Sequence, residues 1–312
     1  MNVSGGRGPV VRCVYLAAAL SWWLLTCFGR RRRARVVTLC YHGVTRDQRD
    51  RFRRQMAMIA GRAVSAADID TTPARTWASP RVCVTFDDAF ANLLDNALPV
   101  TRELEIPVTV FAVTECLGSR PTWPMPPDHP EQIEPTMSGT QLLRAAGDRW
   151  CTVGSHSAAH YRMSHLARPE AQRELSGSKA ALEVILDRRV DDFAFPHGVC
   201  NRRLIDDAFE AGYRRLFTLG SFDGTDDVRG SVVARMSVSP DIWPIEFALT
   251  AAGAYDWLPV VHRFVRHLGR GLPRPHDIRP NTALPVDTAP LSMTHATHTG
   301  RFTSQDETRR AA

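Results

Sequence analysis

Two aspartates that close an apolar run, Val84-Thr85-Phe86-Asp87-Asp88, and two histidines four positions apart in Ser155-His156-Ser157-Ala158-Ala159-His160 are the residues here best suited to chemistry. One carboxylate with two imidazoles is a facial set of hard-to-borderline ligands that suits a divalent metal and leaves positions open for water and substrate. Consecutive residues leave a strand in opposite directions, so only one of Asp87 and Asp88 easily reaches a common metal. The other is then free to act as a base. Each motif alone has an ordinary reading, since Asp pairs cap helix starts and histidines four apart arise on polar helix faces. Both together, each after an apolar run, point to a mononuclear metal site. Iron oxygenases share a two-histidine, one-carboxylate set, but the spare carboxylate tilts the reading toward hydrolysis.

Alternating apolar runs and helical stretches supply the scaffold, the pattern of a largely parallel sheet with helices outside it. Strands are predicted at Val36 to Cys40, Val82 to Phe86, Val108 to Val113, Cys151 to Val153, Phe193 to Phe195, Arg215 to Leu219 and Val232 to Val238. Helices are predicted at Gln55 to Ala60, Ala89 to Leu104, Pro169 to Leu186 and Asn201 to Ala211. The proline-rich stretch 119–138 reads as a long rim loop, whose Trp123 either stacks on a sugar or packs down. In barrels the active site gathers at the C-terminal strand ends, where Tyr41-His42, Asp87-Asp88, His156 and Pro196-His197 all fall.

A series of segments, in order, resembles the polysaccharide deacetylase family (carbohydrate esterase family 4) over about residues 36–260. They are Leu39-Cys40-Tyr41-His42-Gly43-Val44, Val84 to Asp88, Val108-Thr109-Val110-Phe111, Gly154 through His160, Phe193-Ala194-Phe195-Pro196-His197-Gly198, and Ala208 to Tyr213 followed by Phe217-Thr218. The resemblance implies an α/β fold, a distorted, incomplete (β/α) barrel of the polysaccharide deacetylase type. It also implies that Asp87 is the catalytic base and that Asp88, His156 and His160 bind a divalent metal, zinc first, with Co, Fe, Ni or Mn as alternatives. The reaction it implies is hydrolysis of an N-acetyl group on an amino sugar, with an N-acetylated glycan or lipid-linked sugar as substrate. Tyr41, Pro196 and Trp123 are the candidate substrate-binding residues, with a backbone N–H near Tyr41 or after Pro196 to hold the oxyanion.

Three departures from the family pattern bear on mechanism. Ala89 stands where a glycine usually follows the second aspartate. The arginine that orients the base in many members is missing near Pro196, and Arg235 on the late strand is the candidate substitute. The late leucine-x-histidine motif is not recognisable, so His42 and His197 are the candidates for the general acid. Those losses keep a second class open, a catalytically degenerate carbohydrate-binding protein. Removal of formyl from a lipid-linked amino sugar lies within the first class.

The 312 residues, 44% of them hydrophobic, are enough for one large core with tails: an N-terminal anchor and basic cluster over 1–35, a catalytic domain over 36–260, and a basic helix with a disordered tail over 261–312. The run Cys13 to Phe28 carries no charge and precedes Arg30, Arg31, Arg32, Arg33 and Arg35. Extended back to Pro9, with Arg12 snorkelling, it reaches the length of an uncleaved membrane anchor. The arginines then favour a cytoplasmic catalytic domain. An interfacial helix gives the same sidedness, and a helix packed on the barrel is the third possibility. The arginines lack the interleaved aromatics of a nucleic-acid surface, so no nucleic acid is expected. Seven cysteines with no Cys-x-x-Cys pair read as free thiols.

Overall fold

Seven parallel strands close on themselves in the computed structural model, which describes residues 9–28, 36–69, 80–126, 129–219 and 232–255. They are β1 (Val36–Tyr41), β2 (Arg81–Phe86), β3 (Val108–Ala112), β4 (Cys151–Ser155), β5 (Asp192–Ala194), β6 (Arg215–Leu219) and β7 (Val232–Ser237), each hydrogen-bonded to the next in sequence. β7 returns to β1 with Thr38 opposite Arg235, which closes the ring. The barrel is one strand short of the eightfold form, yet it has no open edge.

Strand alternation sorts the side chains. Val37, Leu39 and Tyr41 of β1 and Val82, Val84 and Phe86 of β2 belong to the large outer core under the helices. Cys83, Phe111, Ala194 and Phe217 form a separate cluster, with Val233 packed against it, that fills the barrel interior. A two-residue period then carries Cys40, Thr85, Gly154 and Arg235 to the interior side and aims His42, Asp87 and His156 over the mouth. Gly154 has no alternative, since a Cβ there would stand 2.5 Å from the Phe111 ring.

The helices are α2 (Arg49–Ala57), α3 (Leu93–Asn96), α4 (Leu98–Glu103), α5 (Gly139–Ala146), α6 (Arg168–Leu186), α7 (Arg202–Glu210) and α8 (Pro244–Ala251), after an N-terminal α1 (Pro9–Phe28). The single helix expected over Ala89 to Leu104 is instead α3 and α4. Asp88 and Ala89 both have positive φ, 66° and 50°, so helical geometry starts late, and Pro99 falls where the second piece begins. α2 starts six residues earlier than expected. α5 was not anticipated; Ser138 caps it, accepting from the Gln141 N–H at 3.2 Å while Gln141 returns a bond to the Ser138 N–H.

The N-terminal segment departs most from expectation. Among the described residues no helix is long and apolar enough to cross a membrane. α1 lies instead against α8, with Tyr15, Leu16, Ala19 and Trp23 packed on Leu249, Ala254 and Tyr255. Arg12, expected to snorkel, forms an ion pair with the buried Glu246 and stacks 4.2 Å above the Trp243 ring. A guanidinium given a buried carboxylate and an aromatic face has no need to reach for headgroups. The basic cluster and everything expected beyond 255, the basic helix and tail included, lie outside the described residues. Cys13, Cys40, Cys83, Cys116, Cys151 and Cys200 are all free thiols, as expected.

Candidate metal centre and active site

β2 ends at Phe86, and the turn that follows splits the two aspartates. Asp87 keeps the interior direction while Asp88, at φ 66°, swings toward the loop after β4. That loop carries His156 and His160, and positive φ at Ser157 and His160 folds it tightly enough to present both rings on one side. The Ser157 hydroxyl accepts the His160 N–H at 3.0 Å, and Glu174 of α6 accepts the Ala158 and Ala159 N–H groups at 2.9 Å each. Glu174 is 8% exposed, so a buried carboxylate on α6 fixes the loop that positions both imidazoles.

Asp88, His156 and His160 offer ligand atoms that all lie within 4.8 Å of one another, and all three are buried. Asp88 Oδ1 stands 3.7 Å from His156 Nε2 and 3.5 Å from His160 Nε2, and it has no hydrogen-bond partner. A buried carboxylate oxygen left without a partner between two ring nitrogens is what a cation would satisfy. His156 Nδ1 lies 2.8 Å from the Ala194 carbonyl, the bond that fixes the tautomer with Nε2 free to ligate. Burial holds His156 down to about 4 and, with the neighbouring His156 and His197, His160 down to about 2, so both rings are neutral near pH 7. Burial pushes Asp88 up to about 7, with the Asp87 charge adding to the rise against the pull of His42. The three residues fit a divalent metal.

Asp87 is held differently. Arg235 donates from Nη1 to Oδ1 at 2.6 Å and from Nη2 to Oδ2 at 2.8 Å, and from Nη1 to the Thr85 hydroxyl at 3.1 Å. Arg235 is fully buried, its guanidinium 5.3 Å from the centre of the Phe111 ring. The Cys40 thiol, kept protonated chiefly by burial, donates to Asp87 Oδ2 at 3.2 Å. Burial alone would raise the Asp87 carboxyl, but Arg235, with His156 and His42, outweighs it and holds Asp87 well below the usual carboxylate range. Asp87 Oδ2 lies 3.8 Å from His156 Nε2, beside the Asp88-His156-His160 cluster and outside it.

The remaining candidates divide. His42 follows β1 at the mouth and lines a cavity of about 350 Å³ with Gln48, Asn92, His129, Glu131 and Ser239. Its loop is pinned from two sides, by Glu131 accepting the Gly43 N–H at 3.2 Å and Asn92 accepting the Val44 N–H at 3.2 Å. Burial would lower the His42 pKa, yet Asp88, Asp87 and Glu131 together raise it. His197, at φ 58°, packs its ring 4.7 Å from that of His160 and hydrogen-bonds to the His160 backbone; burial and Arg162 lower its pKa. Trp123 does not stand open. It packs with Phe90, Val113 and Cys116 and lies 4.3 Å from the His160 ring, which it walls on that side. The Tyr41 side chain is turned into the outer core, between Phe52 and Phe86, with its hydroxyl donated to Gln55 Oε1 at 2.8 Å. Pro196 is buried, and the N–H groups of Gly198 and Val199 after it donate to Phe195 and Pro196 carbonyls, so neither is offered to an oxyanion.

Sequence reasoning missed Glu174, Cys40 and Glu131. Glu174 had a readable signal, a charged residue on the same inward stripe of α6 as Ala171, Leu175, Ser178 and Leu182. The roles of Cys40 and Glu131 had none, because they come from strand register and loop closure.

The parallel barrel joins at its mouth an Asp-His-His cluster and a second, arginine-held aspartate, and the known proteins it is similar to are polysaccharide deacetylases. The polysaccharide deacetylase family model matches residues 74–216. It is 21% identical over 174 residues to the Bacillus subtilis protein YxkH, named for the same family; the match covers 56% of this chain and 55% of YxkH, so the chain spans about half the length of that curated relative. Among solved structures, IcaB from Ammonifex degensii is 25% identical with a TM-score of 0.57, covering 70% of this chain and 98% of IcaB. The Streptococcus pyogenes deacetylase PplD shares the fold at 15% identity and a TM-score of 0.54, over 70% of this chain and 97% of PplD.

Proposed function

We propose that this protein is a metal-dependent hydrolase that removes N-acetyl groups from an amino sugar in a polysaccharide or lipid-linked glycan precursor. The observation that carries the reading is the division of labour between adjacent aspartates, one unpartnered between two neutral imidazoles and the other clamped by Arg235. Asp88, His156 and His160 would hold the metal, zinc first by the donor set. Such an ion supplies a Lewis acid that acidifies a water and polarises the acyl carbonyl.

Asp87 takes the proton of the attacking water. Arg235 keeps it ionised across the neutral range and fixes the direction of both oxygens, at the cost of making it a weak base; an acidified water compensates for that weakness. Between the two candidate acids, electrostatics favours His42. Its carboxylate neighbours favour the imidazolium, and it lines an open cavity, so it has a proton to give and a side open to solvent and substrate. A metal would offset the share of Asp88, leaving Asp87 and Glu131 to hold the proton. His197 is kept neutral and lies against His160, which suits a positioning role. Products are acetate and a free amino sugar.

The test is acetate release from N-acetylated sugars, polymeric and lipid-linked, by protein reloaded with zinc, cobalt or iron, beside Asp87→Asn. Metal-dependent acetate that disappears in the variant supports the reading. Formate from N-formyl substrates, with no acetate, would move the assignment to a deformylase. No product from any of them, with one metal bound per chain, would overturn hydrolysis altogether.

A further inference from the structure

The two sides of α1 differ in what they meet. Arg12, Tyr15, Leu16, Ala19 and Trp23 recur at helical spacing and form the stripe that meets α8 or its neighbours. The opposite side carries Val14 at 62% and Leu25 at 71% exposure, flanked by Leu24 at 42% and Trp22 at 41%. A helix lying on a soluble body normally turns charged residues to solvent, but no charge occurs from Cys13 to Phe28. Five arginines follow within the six positions 30–35.

From this we infer that α1 is an interfacial helix, and that its outer face seats the catalytic domain on an anionic lipid surface without crossing it. Three observations converge. The inner stripe is committed to α8 by the Arg12–Glu246 ion pair, so the helix cannot leave the body to span a bilayer without unpairing a carboxylate that is 2% exposed. The outer face is apolar with tryptophan, the composition that enters the headgroup and acyl boundary. The arginine cluster that follows it in sequence complements anionic headgroups, and an apolar face with a basic segment makes up the two signals that stable peripheral anchoring takes.

The experiment is flotation of the full chain with phosphatidylglycerol-containing vesicles and with pure phosphatidylcholine vesicles, beside the double variant Val14→Asp/Leu25→Asp and a variant with Arg30 to Arg33 changed to Ala. Both aspartates replace exposed side chains, so folding and activity on a soluble substrate are expected to survive them, which separates this test from that of the hydrolase reading. The expected result is binding to anionic vesicles only, released by high salt. The aspartate variant should abolish it, and each arginine removed should weaken it roughly fivefold. Three results would overturn the inference: no binding to anionic vesicles, an aspartate variant that binds as well as the parent, or resistance to high salt and alkaline carbonate, which would mark a spanning helix. A dimer in solution that the aspartates dissociate, with no vesicle binding, would assign the face to a second copy instead.

Discussion

Replacing Arg235 by methionine should convert Asp87 from a stabilised ion into a buried liability. Arg235 and Asp87 are 0% and 3% exposed at their side chains, and two short hydrogen bonds join them. Removing one partner of a buried pair costs about 3–5 kcal/mol, because the surviving charge keeps its desolvation penalty and loses its compensation. The lost Thr85 contact adds about 1 kcal/mol. The sign of the pH dependence follows. In the parent protein the folded pKa of Asp87 is depressed, so its contribution to stability is present above the unfolded value of about 3.9 and is lost only as pH falls through the folded value. In Arg235→Met, burial raises the folded pKa above about 3.9; the penalty is then full at higher pH and is relieved as pH falls through the raised value. Urea unfolding in chelator, near neutral pH and at about pH 5, should show a smaller difference between parent and variant at the acidic end. Arg235→Met/Asp87→Asn should recover most of the loss near neutral pH, since it leaves no bare charge. If the single variant is as stable as the parent, or the second substitution restores nothing, the ion pair does not hold the site together as argued.

Glu174→Gln weakens the anchor of the histidine loop, and metal affinity measured by competition with a chelator should fall about 10- to 100-fold while the barrel remains folded. His42→Asn should lower kcat about 10²- to 10⁴-fold with little change in metal affinity, whereas His197→Phe should change metal affinity more than kcat; a reversal of the two would reassign the acid. In the metal-free protein, His156 and His160 have folded pKa values pushed below the unfolded value of about 6.5, so the stability they allow is present above that pH and falls as pH drops toward about 4. Saturating metal should delay that loss and, at about 100 times its Kd, add about 2.7 kcal/mol in thermal or urea unfolding.

The Asp-His-His cluster and the barrel strands were legible because both depend on local order. An apolar run ending in Asp87-Asp88 and a turn holding His156 and His160 announce themselves at short range, and strand periodicity placed all seven strands to within a few residues. Helix boundaries were less legible where backbone conformation overrode composition, as at Asp88 and Ala89, whose positive φ delays the helix. Arg235 was named from the sequence only as the arginine available on a late strand, and it required tertiary structure to become the partner of Asp87. Its role depends on β7 closing against β1 at a register that sets Thr38 opposite Arg235, and no local pattern encodes a register between strands so far apart in the chain. The same holds for Tyr41 and Trp123. Each is aromatic and adjacent to the site in sequence, but strand parity turns one into the outer core and loop packing presses the other onto His160. Composition likewise made the N-terminal run a membrane segment, and only the pairing of Arg12 with Glu246 distinguished a helix laid on the body from one leaving it. The sequence by itself determined which groups could do chemistry, because ligand types and their spacing are properties of the chain. Tertiary structure decided which of them work on each other, because burial, strand register and charge pairing arise only when distant segments meet.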